Sequence, residues 1–353
     1  MGLTVLNHKE TQKWNEVIAS YSKPDVYDLN EYVCSLLLDS KDEGLLFCFE
    51  GEKSRMCYAM IKKDIGEDAH FAGELSKGVY YDLETPYGYG GPLYDNLDAR
   101  ELKAFRKWLK DWCRENRIVS QFVRFHPLRK NAPSTVGFFD EVRYMHHTIF
   151  MDTETEDVIV ENMDSKNRNM VRKARKNQVE IVVDEALEQL PAFKEIYKET
   201  MDYHNASEMY YFSDEYYDYL RTEMKDNIVL LLAKYEGKPI SASLFFYNKD
   251  YMHYHLSGTL LEYRKLAGAN LLLFEAACLA AKKGIKEFHL GGGLSEDDSL
   301  YGFKKQFSKP GVVDFYIGKT IFMEDEYREL LKIRNEADDS FNMDNNRMIQ
   351  YRA

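Results

Sequence analysis

Between Tyr254 and Gly293 the chain places a polar-aromatic strand, an arginine, a long apolar stretch and three glycines in succession. A Phe–Lys pair follows at Phe303 and Lys304. Residue types in this order can hold an activated acyl donor. A helix beginning near Gly268 leaves backbone amides without intrahelical partners, and its dipole adds partial positive charge. With a strand splayed away from it, such a helix start forms a backbone-lined slot for phosphates. Arg264 can pair a phosphate bidentately, and Gly268, just ahead of Ala269, lets a ligand come near. A plain helix start is the competing reading. Gly291, Gly292 and Gly293 end a strand and permit a sharp turn or the close approach of a ligand. Phe303 and Phe307 stand one helical turn apart with Lys304 and Lys305 beside them. This is a lysine held over an anionic group by packed aromatics, or an amphipathic turn with solvated lysines.

Other segments offer partners. On a strand over Tyr251–Thr259, Tyr251, His253 and His255 share one face, while Met252, Tyr254 and Leu256 share the other. Either face could line a cleft. No third ligand at metal-binding spacing joins the two histidines, so no metal is assigned. In Thr85–Asp95, Pro86, Gly88, Gly90, Gly91 and Pro92 exclude regular structure. Tyr87, Tyr89 and Tyr94 give that loop a rigid aromatic lining and Asp95 a carboxylate. It reads as a binding loop or as a tight structural one. Ser165–Lys176 holds six basic residues and no acidic one. On a helix, Arg168, Arg172 and Arg175 form one stripe, fit for a phosphate backbone or for plain solvation.

The bulk composition narrows the setting. The chain has 353 residues and a formal net charge of −12. That balance argues against a general nucleic-acid coat protein while leaving room for a local basic patch. An apolar content of 44% supports real cores, and 26 tyrosines place many half-buried hydroxyls. The five cysteines are scattered through apolar segments, as reduced thiols of a cytosolic protein would be. The N-terminus lacks a basic region followed by an apolar core, so no signal peptide is read. Leu271–Ala281 is too short to span a bilayer and contains Glu275. The expected location is the cytoplasm, with peripheral membrane contact left open.

A long-period echo organises the chain. Residues 45–60 and 228–246 each read as an apolar run, a Glu–Gly turn and a second run, the pattern of a hairpin. An amphipathic helix over 97–116 precedes a strand over 118–125. A helix over 269–283, capped by Gly284, precedes a strand over 286–290. Two copies of one α/β unit, each with a mixed sheet flanked by helices, is the economical reading (the class is α/β, or α+β). The domains are expected at 1–155 and 156–335. The polar tail at 336–353 is expected to be loosely held.

Taken in order, these segments resemble the FemABX family of peptidoglycan-bridge aminoacyltransferases and the FemAB-like, BioF2-type members of the GNAT superfamily. The carrying residues are Tyr87–Asp95, the basic Lys166–Lys176 helix with Gln178–Val183, Met209–Phe212, Phe288–Gly293 and Phe303–Lys305. The resemblance implies a tandem duplication of a GNAT-like acyl-CoA N-acyltransferase fold. It also implies transfer of an aminoacyl group from charged tRNA to an amine of a cell-wall precursor. Asp95 looks like the family's Gly-Pro-x-x-Asp carboxylate in the precursor cleft, and Lys304 like its Phe–Lys lysine. Tyr254 resembles a cleft tyrosine, and Tyr216 matches another. Two departures bear on the donor. The helical arm that assists tRNA binding in some members is absent, and Arg264–Ala269 resembles the acyl-CoA loop of GNAT enzymes, with Ala267 where that loop has its first glycine.

The expected reaction is direct acyl transfer without a covalent enzyme intermediate, since no nucleophile elbow occurs. Asp95 positions the acceptor or takes its proton. Lys304, with backbone amides near Gly258 or Gly268, stabilises the oxyanion. Tyr254 protonates the leaving atom. No tightly bound cofactor is expected; aminoacyl-tRNA is the leading co-substrate and acyl-CoA, used on a small amine, the alternative. The acceptor would be a peptidoglycan precursor, lipid-linked if the protein touches a membrane. A binding module without turnover, recognising cell-wall precursors through its tyrosines, is the third reading.

Overall fold

The computed structural model describes residues 2–293, 295 and 298–353. The chain forms two compact units, Met1–Met145 with Phe315–Ala353, and His146–Asp314. The expected division fell at 155/156 and 335/336. The observed one falls inside two strands, and the pairing of those strands explains why.

The strands of the first half are β1 (Gly2–Asn7), β2 (Glu43–Glu50), β3 (Arg55–Asp64), β4 (Tyr81–Glu84), β5 (Leu93–Asp95) and β6 (Ile118–Arg124). Then come β7 (Glu141–Asp152), β8 (Glu180–Asp184), β9 (Ile228–Tyr235), β10 (Lys238–Tyr247), β11 (Tyr251–Thr259), β12 (Glu287–Gly291) and β13 (Val312–Ile321). In the first unit β1 to β4 pair antiparallel in sequence order, β4 pairs parallel with β6, and β6 pairs antiparallel with β13. In the second, β8 to β11 pair antiparallel in order, β11 pairs parallel with β12, and β12 pairs antiparallel with the end of β7. The two patterns are the same, so the echo in the sequence is a tandem duplication. Each unit's last strand, however, follows the other unit's penultimate strand in sequence. A reading that splits the chain once cannot anticipate that exchange.

Local chemistry explains the elements. At the second hairpin Glu236 and Gly237 both take positive φ, the geometry of a two-residue turn that matches strand twist. At the first, the expected Glu–Gly centre shifts toward Glu52 and Lys53. There the amides of Glu52, Lys53 and Ser54 donate to the carboxylate of Glu101, which fixes the turn from outside. In β2, Leu45, Phe47 and Phe49 face the helix Ala99–Glu115, while Leu46 and Cys48 pack with Trp14, Ile18 and Val33 on the other side. The helix Gly268–Lys282 differs: it is apolar nearly all round and buried between the sheet and the helices Glu156–Asn162 and Ser165–Lys176. Gly284 ends it with φ +77, the Ile285 amide donating to Ala280 O and the Gly284 amide to Ala281 O. Among the described residues no helix is long and apolar enough to cross a membrane.

The tail corrects the expectation of loose attachment. Tyr351 is fully buried, its hydroxyl donating to Asp82 at 2.9 Å and meeting Ser120 at 2.8 Å. Arg352 grips both oxygens of Asp82 and reaches Asp68. Phe341, Met348 and Ile349 are buried as well. These apolar residues follow no helical or strand period, so only tertiary packing gives them partners. Removing Arg352 strands a nearly buried carboxylate. Arg352→Ala is expected to destabilise the protein by about 2 kcal/mol or more in urea unfolding; an effect within a few tenths would show the tail to be dispensable.

Candidate functional site

The parallel pairing of β11 and β12 covers only Tyr251 with Glu287, Met252 with Phe288 and His253 with His289. Beyond those pairs the strands part. The register of β11 on β10 also shifts between Leu244 and Phe245, leaving His255 as an extra residue between Tyr254 and Leu256. Such bulges re-aim side chains.

Into this divergence comes Lys304, from the helix Ser299–Lys305. Its side chain is buried, 8% of the residue remaining exposed. Nζ donates to Gly292 O at 2.7 Å and stands 5.7 Å from the ring centroid of Tyr254. Burial pushes the ammonium down to about 8, with the Asp298 charge opposing it. Lys304 is therefore mostly cationic at pH 7. Burial likewise raises the Tyr254 phenol, against the neighbouring hydroxyls of Ser257 and Ser243, so that phenol keeps its proton. A cation and a proton donor thus meet where the strands separate. Phe303 packs beside Phe307 at 5.3 Å and against the core under the helix.

The three glycines have internal reasons. Gly291 takes φ +75. A Cβ on Gly292 would stand 2.6 Å from the His146 ring, and one on Gly293 would stand 2.1 Å from the Asp298 carboxylate. Close packing with their own neighbours accounts for glycine at both positions.

The opposite face of β11 joins a phenol to an imidazole. Tyr216, buried and stacked on Phe212 at 4.4 Å, places its hydroxyl 2.9 Å from His255 Nε2. Burial, helped by His253, pushes His255 down to about 3, so the imidazole is uncharged. Sequence reasoning named Tyr216 and noted His255 but did not join them. The bulge that sets their geometry has no signature in the sequence.

The helix start is partly as expected. No side chain caps Gly268–Lys282, and Ala267 ahead of it lies in the left-handed region. Ala269 is half-buried, and Arg264 is exposed, 5.2 Å from the Tyr203 ring centroid with His204 beside it. Gly268 has a different reason from the expected one. Its missing side chain faces Ala233 and Ile240 in the sheet, at 3.3 and 3.2 Å. Gly258 likewise admits the helix Leu190–Tyr203, with Ile196 O 2.7 Å from where a Cβ would stand. Both glycines permit helix-to-sheet contact.

The basic stripe divides. Arg168 donates to Val160 O and Met163 O, closing the preceding helix. Arg175 pairs with Glu275 and lies over Phe274. Arg172 is exposed and bonds Asn169.

Asp95, Tyr87 and Tyr89 belong to the first unit. Asp95 accepts from Arg55 at 2.8 Å and from Ser22 at 3.1 Å. Partial burial works against the charge, but these donors hold the carboxyl below its usual range. It is a fixed anion and a weak base. Tyr87 O accepts from the Tyr32 hydroxyl, while Tyr89 packs edge-on against Tyr27 and Phe315. Asn131 donates to Gly90 O and Pro92 O and holds the loop.

Residues 163–305 match the family model of the acetyltransferase (GNAT) domain. The crystal structure of FemX superimposes with a TM-score of 0.68 at 14% identity, covering 93% of this chain and 99% of that one. A conserved protein of unknown function from Bacteroides thetaiotaomicron superimposes with a TM-score of 0.58 at 12% identity, covering 90% of this chain and 100% of that one. No curated protein matches the sequence. The fold is the tandem GNAT-like arrangement that the resemblance implies, and the match to the acetyltransferase model, an acyltransferase model, falls within the second unit.

Lys304 carries a stability signature that needs no assay. Its proton is held less tightly in the folded protein than at the ordinary value of 10.5. Below about pH 8 both folded and unfolded forms bind the proton and the fold bears the burial penalty. Between about 8 and 10.5 only the unfolded form binds it, so stability from this group rises with pH, by about 3 kcal/mol in all. Lys304→Met should therefore be at least as stable as the native protein at pH 7 in urea unfolding, with its advantage shrinking toward pH 10. An advantage that does not change with pH would contradict a buried ammonium.

Proposed function

We propose that this acyltransferase of FemX-like fold moves an aminoacyl group from charged tRNA to an amine of a peptidoglycan precursor. The observation that carries the reading is the buried Lys304 ammonium beside the protonated Tyr254 phenol where β11 and β12 part. In an ester aminolysis the neutral amine attacks the carbonyl carbon, and negative charge grows on the carbonyl oxygen. A cation kept out of bulk water stabilises that charge far more than a solvated one. Tyr254 gives its proton to the leaving oxygen as the C–O bond breaks. The attacking nitrogen, positively charged after bond formation, returns a proton to the phenolate, so the enzyme ends as it began.

Acyl-CoA is the second donor, favoured by one feature: the helix start at Gly268 lacks a side-chain cap and follows directly on the turn that carries Arg264. Its amides and that guanidinium would take a pyrophosphate.

Lys304→Ala should lower kcat/KM for transfer at least a hundredfold while the fold is kept. Native activity should fall as pH rises through about 8, where the ammonium loses its proton. A Lys304→Ala enzyme with full activity removes the lysine from the mechanism. The donor is decided by assaying charged tRNA and acyl-CoA side by side. With tRNA as donor, Arg172→Glu with Arg175→Glu should abolish transfer, and native activity should drop steeply with salt. With acyl-CoA as donor, Arg264→Ala should be the damaging change and the salt dependence shallow. Arg168 is left intact because it closes a helix.

A further inference from the structure

Asp298 sits where the two pieces of chain that hold the Lys304 ammonium meet. One piece is the helix Ser299–Lys305, which carries the lysine. Asp298 is its N-cap, Oδ1 accepting from the Tyr301 amide at 2.7 Å. The other is the segment after β12, whose Gly292 carbonyl receives Nζ. The same carboxylate reaches that piece too. Oδ2 accepts from the Ser295 amide at 3.1 Å, and the group lies against the α-carbon of Gly293. The near-contact at Gly293 means that no side chain other than hydrogen fits there while the carboxylate holds this place.

A helix cap alone does not call for a charge, since Ser, Thr or Asn would serve. What sets this cap apart is its neighbour. The groups acting on Lys304 among the described residues are the Tyr254 ring from β11, the Gly292 carbonyl and the Asp298 charge, with the His146 ring of β7 packed against Gly292. Asp298 is the anion of that set. An ammonium out of water that donates, among the described residues, to a single carbonyl is poorly compensated.

We propose that Asp298 is a positioning residue for Lys304, tying the lysine's helix to the carbonyl that receives it and supplying the counter-charge to its ammonium. This rests on the reading that Lys304 acts in acyl transfer. The electrostatics agree: burial pushes the lysine down and the Asp298 charge pushes it back up. Loss of that charge should leave a lysine that deprotonates nearer neutrality, and an enzyme whose activity fades at lower pH.

The test is to titrate the Lys304 side chain by NMR in the full-length protein with labelled lysine, using Lys304→Met to assign the resonance. Asp298→Asn keeps an oxygen for the Tyr301 amide and removes the charge. Its Lys304 titration should move acidward by about one pH unit, and the upper limb of the kcat/KM profile should move with it. Gly293→Ala pushes the carboxylate aside without removing it and should move the titration the same way. Asp298→Ser, a second uncharged cap, repeats the measurement should the Asn variant fold poorly. A Lys304 that titrates as in the native protein in the folded uncharged-cap variants overturns the proposal. A titration that moves while Lys304→Ala retains full transfer activity leaves Asp298 in its place and removes the lysine from the reaction instead.

Discussion

Two parallel strands that hold together for three residue pairs and then separate leave a wedge in a sheet. The second unit is arranged around that wedge. Backbone groups that lose their ladder must find other partners or water. Gly291 turns back to pair with Ile149, and Gly292 O accepts from Lys304. The bulge at His255 lets the two sides of β11 follow different registers on β10. Neither the lysine nor the tyrosine could take its present place beside an unbroken strand pair.

The two faces of β11 then show burial acting on two bases with opposite results. On one face Lys304 is shielded from water yet keeps its proton at neutral pH, because a carbonyl and a carboxylate compensate the ammonium. On the other, His255 loses its charge altogether, with a second imidazole nearby and a phenol as its hydrogen-bond partner. Desolvation is common to both; the fixed partners decide the protonation state. A carboxylate in place of a neutral cap adds to the difference between a charged lysine and an uncharged imidazole.

The first unit gives fixed donors to carboxylates that are buried or half-buried. Asp82 is gripped by Arg352 and Tyr351, Asp95 by Arg55 and Ser22, and Glu101 by three successive amides of the β2–β3 turn. In a chain with a net charge of −12, acidic side chains that leave the surface require such donors. The consequence is rigidity. The loop carrying Tyr87 and Tyr89 is pinned through backbone carbonyls, so its aromatic rings are presented by a fixed frame.

Much of the architecture was legible beforehand. Apolar runs on either side of a Glu–Gly turn marked β2, β3, β9 and β10, three- and four-residue spacing marked the helix Ala99–Glu115, and Gly284 marked a helix end, because these signals depend only on local geometry. The repeated order of elements exposed the duplication, and the Phe–Lys pair and the tyrosine of β11 marked residues that the fold brings together. What stayed hidden depends on residues far apart in sequence. The exchange of β7 and β13, the burial of an aperiodic tail through Tyr351 and Arg352, the pairing of Tyr216 with His255 and the convergence of Gly292, Asp298 and Lys304 have no period and no spacing. Sequence thus determined which elements form and which residues have the chemistry for transfer. Tertiary structure decided which of those residues lose water, and so which are charged, since desolvation is a property of surroundings that no single segment carries.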